Sequence, residues 1–131
     1  MSADDLSGDW RGIYNYPNAA GPPTEFTATL RDAGGRLTGE TAEPTPYGFA
    51  LAARIDGRRS GSAVTFNKLY DEVDAGGYDQ VAYQGEVDAD GLEITGRWTI
   101  PGVWSGTFIM VHDKGVAEES EARAAVEEPL R

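Results

Sequence analysis

A chain of 131 residues holds one hydrophobic core and is too short for two, so function has to reside in one compact body or in a tail attached to it. Its 11 Lys and Arg against 22 Asp and Glu leave a formal charge of -11, which would repel a nucleic acid backbone, while 3 Trp, 6 Tyr and 4 Phe are enough to fill an ordered core. The lack of Cys excludes disulfides, thiolate nucleophiles and Cys-bound metal centres, and the absence of a long apolar run or a basic-then-apolar leader points to a cytoplasmic chain with no membrane partner.

Period-two alternation of apolar and polar residues, rich in β-branched and aromatic types, predicts eight strands. Residues 8–16 place Trp10, Gly12, Tyr14 and Tyr16 on one face and Arg11 on the other. Residues 25–31 and 36–42 follow, with Phe26, Ala28, Leu30, Leu37, Gly39 and Thr41 on the apolar side and Thr27, Thr29, Thr38 and Glu40 opposite. The next pair, 48–55 and 60–69, aligns Phe49, Leu51, Ala53 and Ile55 with Val64, Phe66 and Lys68. Residues 79–87, 92–100 and 104–112 complete the series and bring Val81, Tyr83, Val87, Ile94, Trp98, Ile100, Phe108 and Met110 to the same face, because alternate residues of a strand point to opposite sides. Gly8, Gly96 and Gly106 each stand two residues before a large inward aromatic, a weak repeat that suits a sheet coiling sharply under bulky side chains.

Eight short strands with one apolar face predict an all-β fold, an eight-stranded antiparallel up-and-down β-barrel, since closure removes the edges that an open sheet leaves exposed. A two-sheet sandwich is the alternative. Asp32-Ala33-Gly34-Gly35, Asp56-Gly57-Arg58-Arg59 and Asp88-Ala89-Asp90-Gly91 read as tight turns at one end. The longer connections 17–24, 43–47 and 70–78, with the short 101–103, fall at the other end and mark it as the mouth. The expected organisation is a barrel over residues 1–112 and an acidic Ala/Glu-rich tail over 113–131, which composition allows to be a frayed extension or a short docked helix.

Gly8-Asp9-Trp10 on the first strand resembles the Gly-x-Trp placement of the calycins, the group of lipocalins, fatty-acid-binding proteins and the avidin/streptavidin proteins, in which the Trp plugs the closed barrel end. Leu37-Thr38-Gly39-Glu40-Thr41 after its Asp/Gly turn is similar to the second hairpin of the avidin group, and Trp98 and Trp104 sit late in the chain as aromatics do there. That resemblance implies a streptavidin-like barrel, and it allows a homo-oligomer. It does not imply biotin binding, because the first strand offers Gly12, Tyr14 and Tyr16 inward in place of polar residues that grip a ureido group. Gly12-Ile13-Tyr14-Asn15-Tyr16 also resembles the opening strand of bacterial phenolic acid decarboxylases, where a Tyr-x-Tyr pair grips the substrate carboxylate, although the Arg and catalytic Glu of that family have no matching motif. The overall pattern is similar to small bacterial barrel proteins of unassigned function.

Tyr14, Tyr16 and Tyr83 fall inward near the mouth, either as stacking and hydrogen-bonding groups for a planar ligand or as ordinary barrel filling. Lys68 shares the parity of Val64 and Phe66, so an unbroken strand buries an ammonium able to fix an anionic ligand or to act in acid/base chemistry; a bulge at Phe66 would instead let it snorkel out. Glu43 also has inward parity and, across the mouth from Lys68, would hold a polar substrate between opposite charges; otherwise it is a loop carboxylate before Pro44. Trp98 and Trp104 flank Pro101-Gly102 and either stack on a ligand or cover the core. His112 is the only His, and Ser105 fails the Gly-x-Ser-x-Gly elbow, so neither a His-cluster metal site nor a Ser-His-Asp triad is supported. Asp88 to Gly91 lacks the oxygen spacing of a calcium loop, and Asp71, Glu72, Asp74 and Asp79 form an acidic loop without a ligand pattern, so no metal and no cofactor are expected.

These residues support three functions. The leading one is binding of a small, largely apolar or aromatic molecule inside the barrel, contacted by Tyr14, Tyr16, Phe66, Lys68, Tyr83, Trp98 and Trp104. The second is a lyase or isomerase of aromatic or polyketide-like acids that uses Lys68, Glu43 or a tyrosine as general acid or base. The third is a solid-core protein-protein interaction module that meets a basic partner through its acidic surface or its tail.

Overall fold

The computed structural model describes residues 5–17, 21–44, 48, 50–70 and 80–113. Eight strands run in chain order: β1 (Gly8–Asn15), β2 (Thr24–Ala33), β3 (Arg36–Pro44), β4 (Ala50–Ser60), β5 (Ala63–Tyr70), β6 (Gln80–Val87), β7 (Glu93–Ile100) and β8 (Trp104–His112). Each pairs antiparallel with its chain neighbours, and β1 pairs with β8 from Trp10 opposite His112 to Asn15 opposite Thr107, which closes an all-β up-and-down barrel. No helix among the described residues is long and apolar enough to cross a membrane.

Sequence alternation becomes an inside and an outside. Phe26, Ala28 and Leu30 of β2 are buried between exposed Glu25, Thr27, Thr29 and Arg31, and β1 repeats the pattern with Trp10, Gly12 and Tyr14. Burial of this inner face is the dominant stabilising contribution, and closure leaves no unpaired edge.

One end is sealed by Leu6 and Trp10, both essentially buried, with Trp10 Nε1 donating to the Leu6 carbonyl at 2.9 Å. Asp32 ties this plug to the turns: its carboxylate accepts from Leu6 N at 3.0 Å, Gly35 N at 2.9 Å and Arg59 Nε at 2.7 Å. Burial pushes the Asp32 carboxyl up, but Arg59 and the two backbone donors outweigh it and hold the group below its ordinary value.

The turn expected at Asp56 to Arg59 is instead part of β4. Gly57 pairs with Leu37 on one side and Phe66 on the other, and the reversal comes at Gly61-Ser62, where Gly61 has a φ of 60°. Cross-strand partners keep the polar dipeptide extended: Asp56 accepts from Arg36 Nη2 at 2.8 Å and Arg59 reaches Asp32. Gly57 is needed there because a Cβ would lie 2.1 Å from the Thr65 carbonyl oxygen and 2.4 Å from Phe66. The turns at Gly34-Gly35 and Asp88 to Gly91 fall where expected, the latter closed by Gly91 N donating to the Asp88 carbonyl at 3.0 Å. The tail after Asp113 lies outside the described residues, as do residues 18–20, 45–47 and 71–78 of the expected mouth loops, the acidic group at Asp71 to Asp79, and Phe49 of the fourth expected strand.

Candidate functional site

The end opposite the plug is built from the last inward residues of three strands. Tyr14 near the end of β1, Glu43 near the end of β3, and Lys68 and Tyr70 at the end of β5 converge there, because antiparallel neighbours bring those strand ends to one side. Glu43 and Lys68 are both buried, at 6% and 1% exposure, and Lys68 Nζ donates to Glu43 Oε1 at 3.0 Å. Tyr70 OH donates to the same oxygen at 3.2 Å, and Tyr14 OH donates to Oε2 at 2.9 Å. The ammonium completes its surroundings with aromatic rings, lying 4.8 Å from the Tyr14 centroid, 5.0 Å from Phe26, 5.2 Å from Tyr70 and 5.4 Å from Tyr83.

Burial lowers the proton affinity of Lys68, and the Glu43 carboxylate restores only part of it. Tyr14, Tyr70 and Tyr83 move the other way. Burial raises all three well above the usual phenol range, with Glu43 and neighbouring tyrosines adding to the rise, so they stay protonated, and Tyr14 and Tyr70 donate to Glu43.

Above this cluster opens a cavity of about 240 Å³ with Glu43 in its wall and an aromatic lining of Tyr14, Tyr16, Tyr70, Tyr83, Trp98 and Trp104, completed by Leu51, Val81 and Ile100. Its rings brace one another edge to face: Tyr14 and Tyr16 at 5.6 Å, Tyr16 and Trp98 at 5.9 Å, Trp98 and Trp104 at 5.9 Å. Trp98 is pinned by its Nε1 donating to the Asn15 carbonyl at 2.9 Å, and Tyr16 shares a hydrogen bond of 3.0 Å with Thr24. Larger hollows of about 570 and 370 Å³ lie over β4 to β6 and over the β1 and β8 seam, lined mainly by outward residues such as Arg36, Arg58 and Gln84 or Ile13, Ile109 and Val111. They lack buried charge, so the chemistry sits at the mouth.

Among the residues expected to touch a ligand, Tyr14, Tyr16, Tyr83, Trp98 and Trp104 line the cavity, and so does Glu43. Phe66 and Lys68 do not. Phe66 stacks under Tyr83 at 4.8 Å and 10°, and Lys68 is sealed behind the tyrosines. Nor do Glu43 and Lys68 hold a space between them, since direct contact at 3.0 Å leaves no room for a substrate. Sequence reasoning missed Tyr70, which it assigned to a loop; one further residue of strand would have given it the inward parity of Lys68. Among the described residues no group of three His, Asp or Glu is arranged to hold a metal ion.

No family model matches this sequence, and no curated protein matches it. Solved structures with a similar fold include a redesigned beta barrel, with a TM-score of 0.66 and 12% identity over 82% of this chain and 90% of that one. Another is a de novo designed fluorescence-activating beta barrel, with a TM-score of 0.60 and 11% identity over 85% of this chain and 96% of that one. At such identities the likeness is one of fold alone: a closed, eight-stranded antiparallel barrel.

Proposed function

We propose that this barrel binds a compact, largely apolar or aromatic small molecule in its mouth cavity. The observation that carries the reading is an aromatic-walled cavity of about 240 Å³ with one carboxylate in its wall, which also speaks against the solid-core interaction module. Drug-sized ligands occupy sites of about 300–1,000 Å³, so the ligand is small, of one or two rings. Affinity comes from apolar area removed from water, at about 25 cal/mol per Å² before the costs of association. The fluorescence-activating barrel of the same architecture supports the reading by analogy of fold.

Trp98 and Trp104 report directly on the cavity, while Trp10 lies in the plug at the far end as a constant background. Titration with one- and two-ring aromatic compounds is expected to change tryptophan emission saturably and to raise the melting temperature. Trp104→Ala, at the half-buried rim, should weaken that binding by about tenfold while cooperative unfolding is retained. A broad panel that moves neither emission nor melting temperature would count against the reading.

The bridging of Glu43 by two phenols and an ammonium favours a second reading, general acid/base chemistry in the same cavity. Turnover of hydroxycinnamic acids that is lost in Tyr70→Phe would support it; inertness toward such a panel would leave the binding function alone.

A further inference from the structure

We infer that the ligand of the mouth cavity is an organic cation, a protonated amine carried on a compact ring, and this rests on the small-molecule reading above. The buried ion pair is oriented. Glu43 lines the cavity, whereas Lys68 is 1% exposed and lies behind the tyrosines, so the pair turns its negative end toward a ligand and its positive end away.

The hydrogen-bonding capacity of the wall points the same way. Tyr14 and Tyr70 spend their hydroxyl protons on Glu43, Trp98 spends its indole N–H on the Asn15 carbonyl, and Tyr16 is engaged with Thr24. Three of the six lining donors, those of Tyr14, Tyr70 and Trp98, are therefore committed, which leaves an anionic ligand fewer of them. The acceptor is not used up. Glu43 Oε1 takes two donors but Oε2 takes one, from Tyr14, and a carboxylate oxygen carries two lone pairs. An N–H donor from the ligand completes that oxygen.

Aromatic walls add to the selection, because ring faces attract a cation and are indifferent or repulsive to an anion. Within this barrel the same preference is already expressed in the four rings around Lys68 Nζ. At long range, the formal charge of -11 concentrates organic cations near the surface.

The test compares three probes of one size on the native chain by tryptophan emission and calorimetry: 2-phenylethylammonium, neutral 2-phenylethanol and anionic phenylacetate. The amine is expected to bind at least about tenfold more tightly than the alcohol, in line with a charge-assisted hydrogen bond, and phenylacetate more weakly than either. Phenylacetate binding as tightly as the amine, or alcohol and amine binding equally, would overturn the cation assignment while leaving a small-molecule barrel. Failure of all three probes, and of the wider aromatic panel, would overturn both. The double variant Glu43→Gln with Lys68→Met removes both buried charges together, so neither is left unpaired. In it the ratio of amine to alcohol affinity should fall to within about twofold while alcohol binding persists. A ratio that survives this change would overturn Glu43 as the cation receptor.

Discussion

Lys68 shows what one buried charge demands of its neighbours. An ammonium at 1% exposure is tolerated because Glu43 and four aromatic rings surround it, and Glu43 in turn is held by two phenols. Removing one partner strands the other, so Glu43→Gln and Lys68→Met alone should each cost about 3–5 kcal/mol. The double variant should cost clearly less than the two singles added, and urea unfolding of all four proteins closes that cycle. Thr41, two residues before Glu43 on the same inner row, is 4% exposed, and its hydroxyl has no partner among the described residues. Thr41→Val keeps the shape and removes the unpaired group, and should raise stability by about 1 kcal/mol in the same assay. The inward direction of Lys68 was legible in the sequence from the parity of Val64 and Phe66. Its contact with Glu43, 25 residues away, follows only from β3, β4 and β5 lying side by side.

At the scale of strands, glycine explains how the wall bends around its aromatics. Gly106 of β8 sits under the Trp98 indole, and a Cβ there would lie 2.0 Å from the Asn15 carbonyl oxygen and 2.7 Å from Trp98 Nε1. Gly106→Ala should therefore cost about 1–3 kcal/mol and break the bond that pins Trp98, shifting tryptophan emission to longer wavelength. Gly96 and Gly106 were recognisable as partners of large inward residues from their spacing. Gly57 was not, because Asp-Gly reads locally as a turn. What keeps it extended is its pairing with Leu37 and Phe66 on the two flanking strands and charge pairing from Asp56 to Arg36 across strands, and neither is written in the local sequence.

For the whole molecule, the buried tyrosines make alkali the decisive stress. Tyr14, Tyr70 and Tyr83 have proton affinities raised by burial, so above about pH 10 the unfolded chain loses protons that the barrel keeps. Their contribution is present below that pH and is lost as pH rises, at about 1.4 kcal/mol per group per pH unit. Lys68 has the opposite sign: its lowered affinity makes stability rise with pH only until about 10.4, the ordinary lysine value, after which the tyrosines act unopposed. Phenolate absorbance of these three should appear together with cooperative unfolding, followed by circular dichroism. Ionisation near pH 10 in a barrel that stays folded would disprove their burial.

By itself the sequence determined eight strands, their two faces and an aromatic interior with Trp10 turned inward, because alternation of apolar and polar residues is a local property that any closed sheet must respect. Only the tertiary structure decided that Glu43 meets Lys68 directly, that Tyr70 joins them and that Lys68 and Phe66 stand behind the cavity wall. Those contacts join strands through their register, and register depends on where each turn falls: the reversal at Gly61-Ser62 extends β4 and settles which residues of β4 and β5 stand opposite one another.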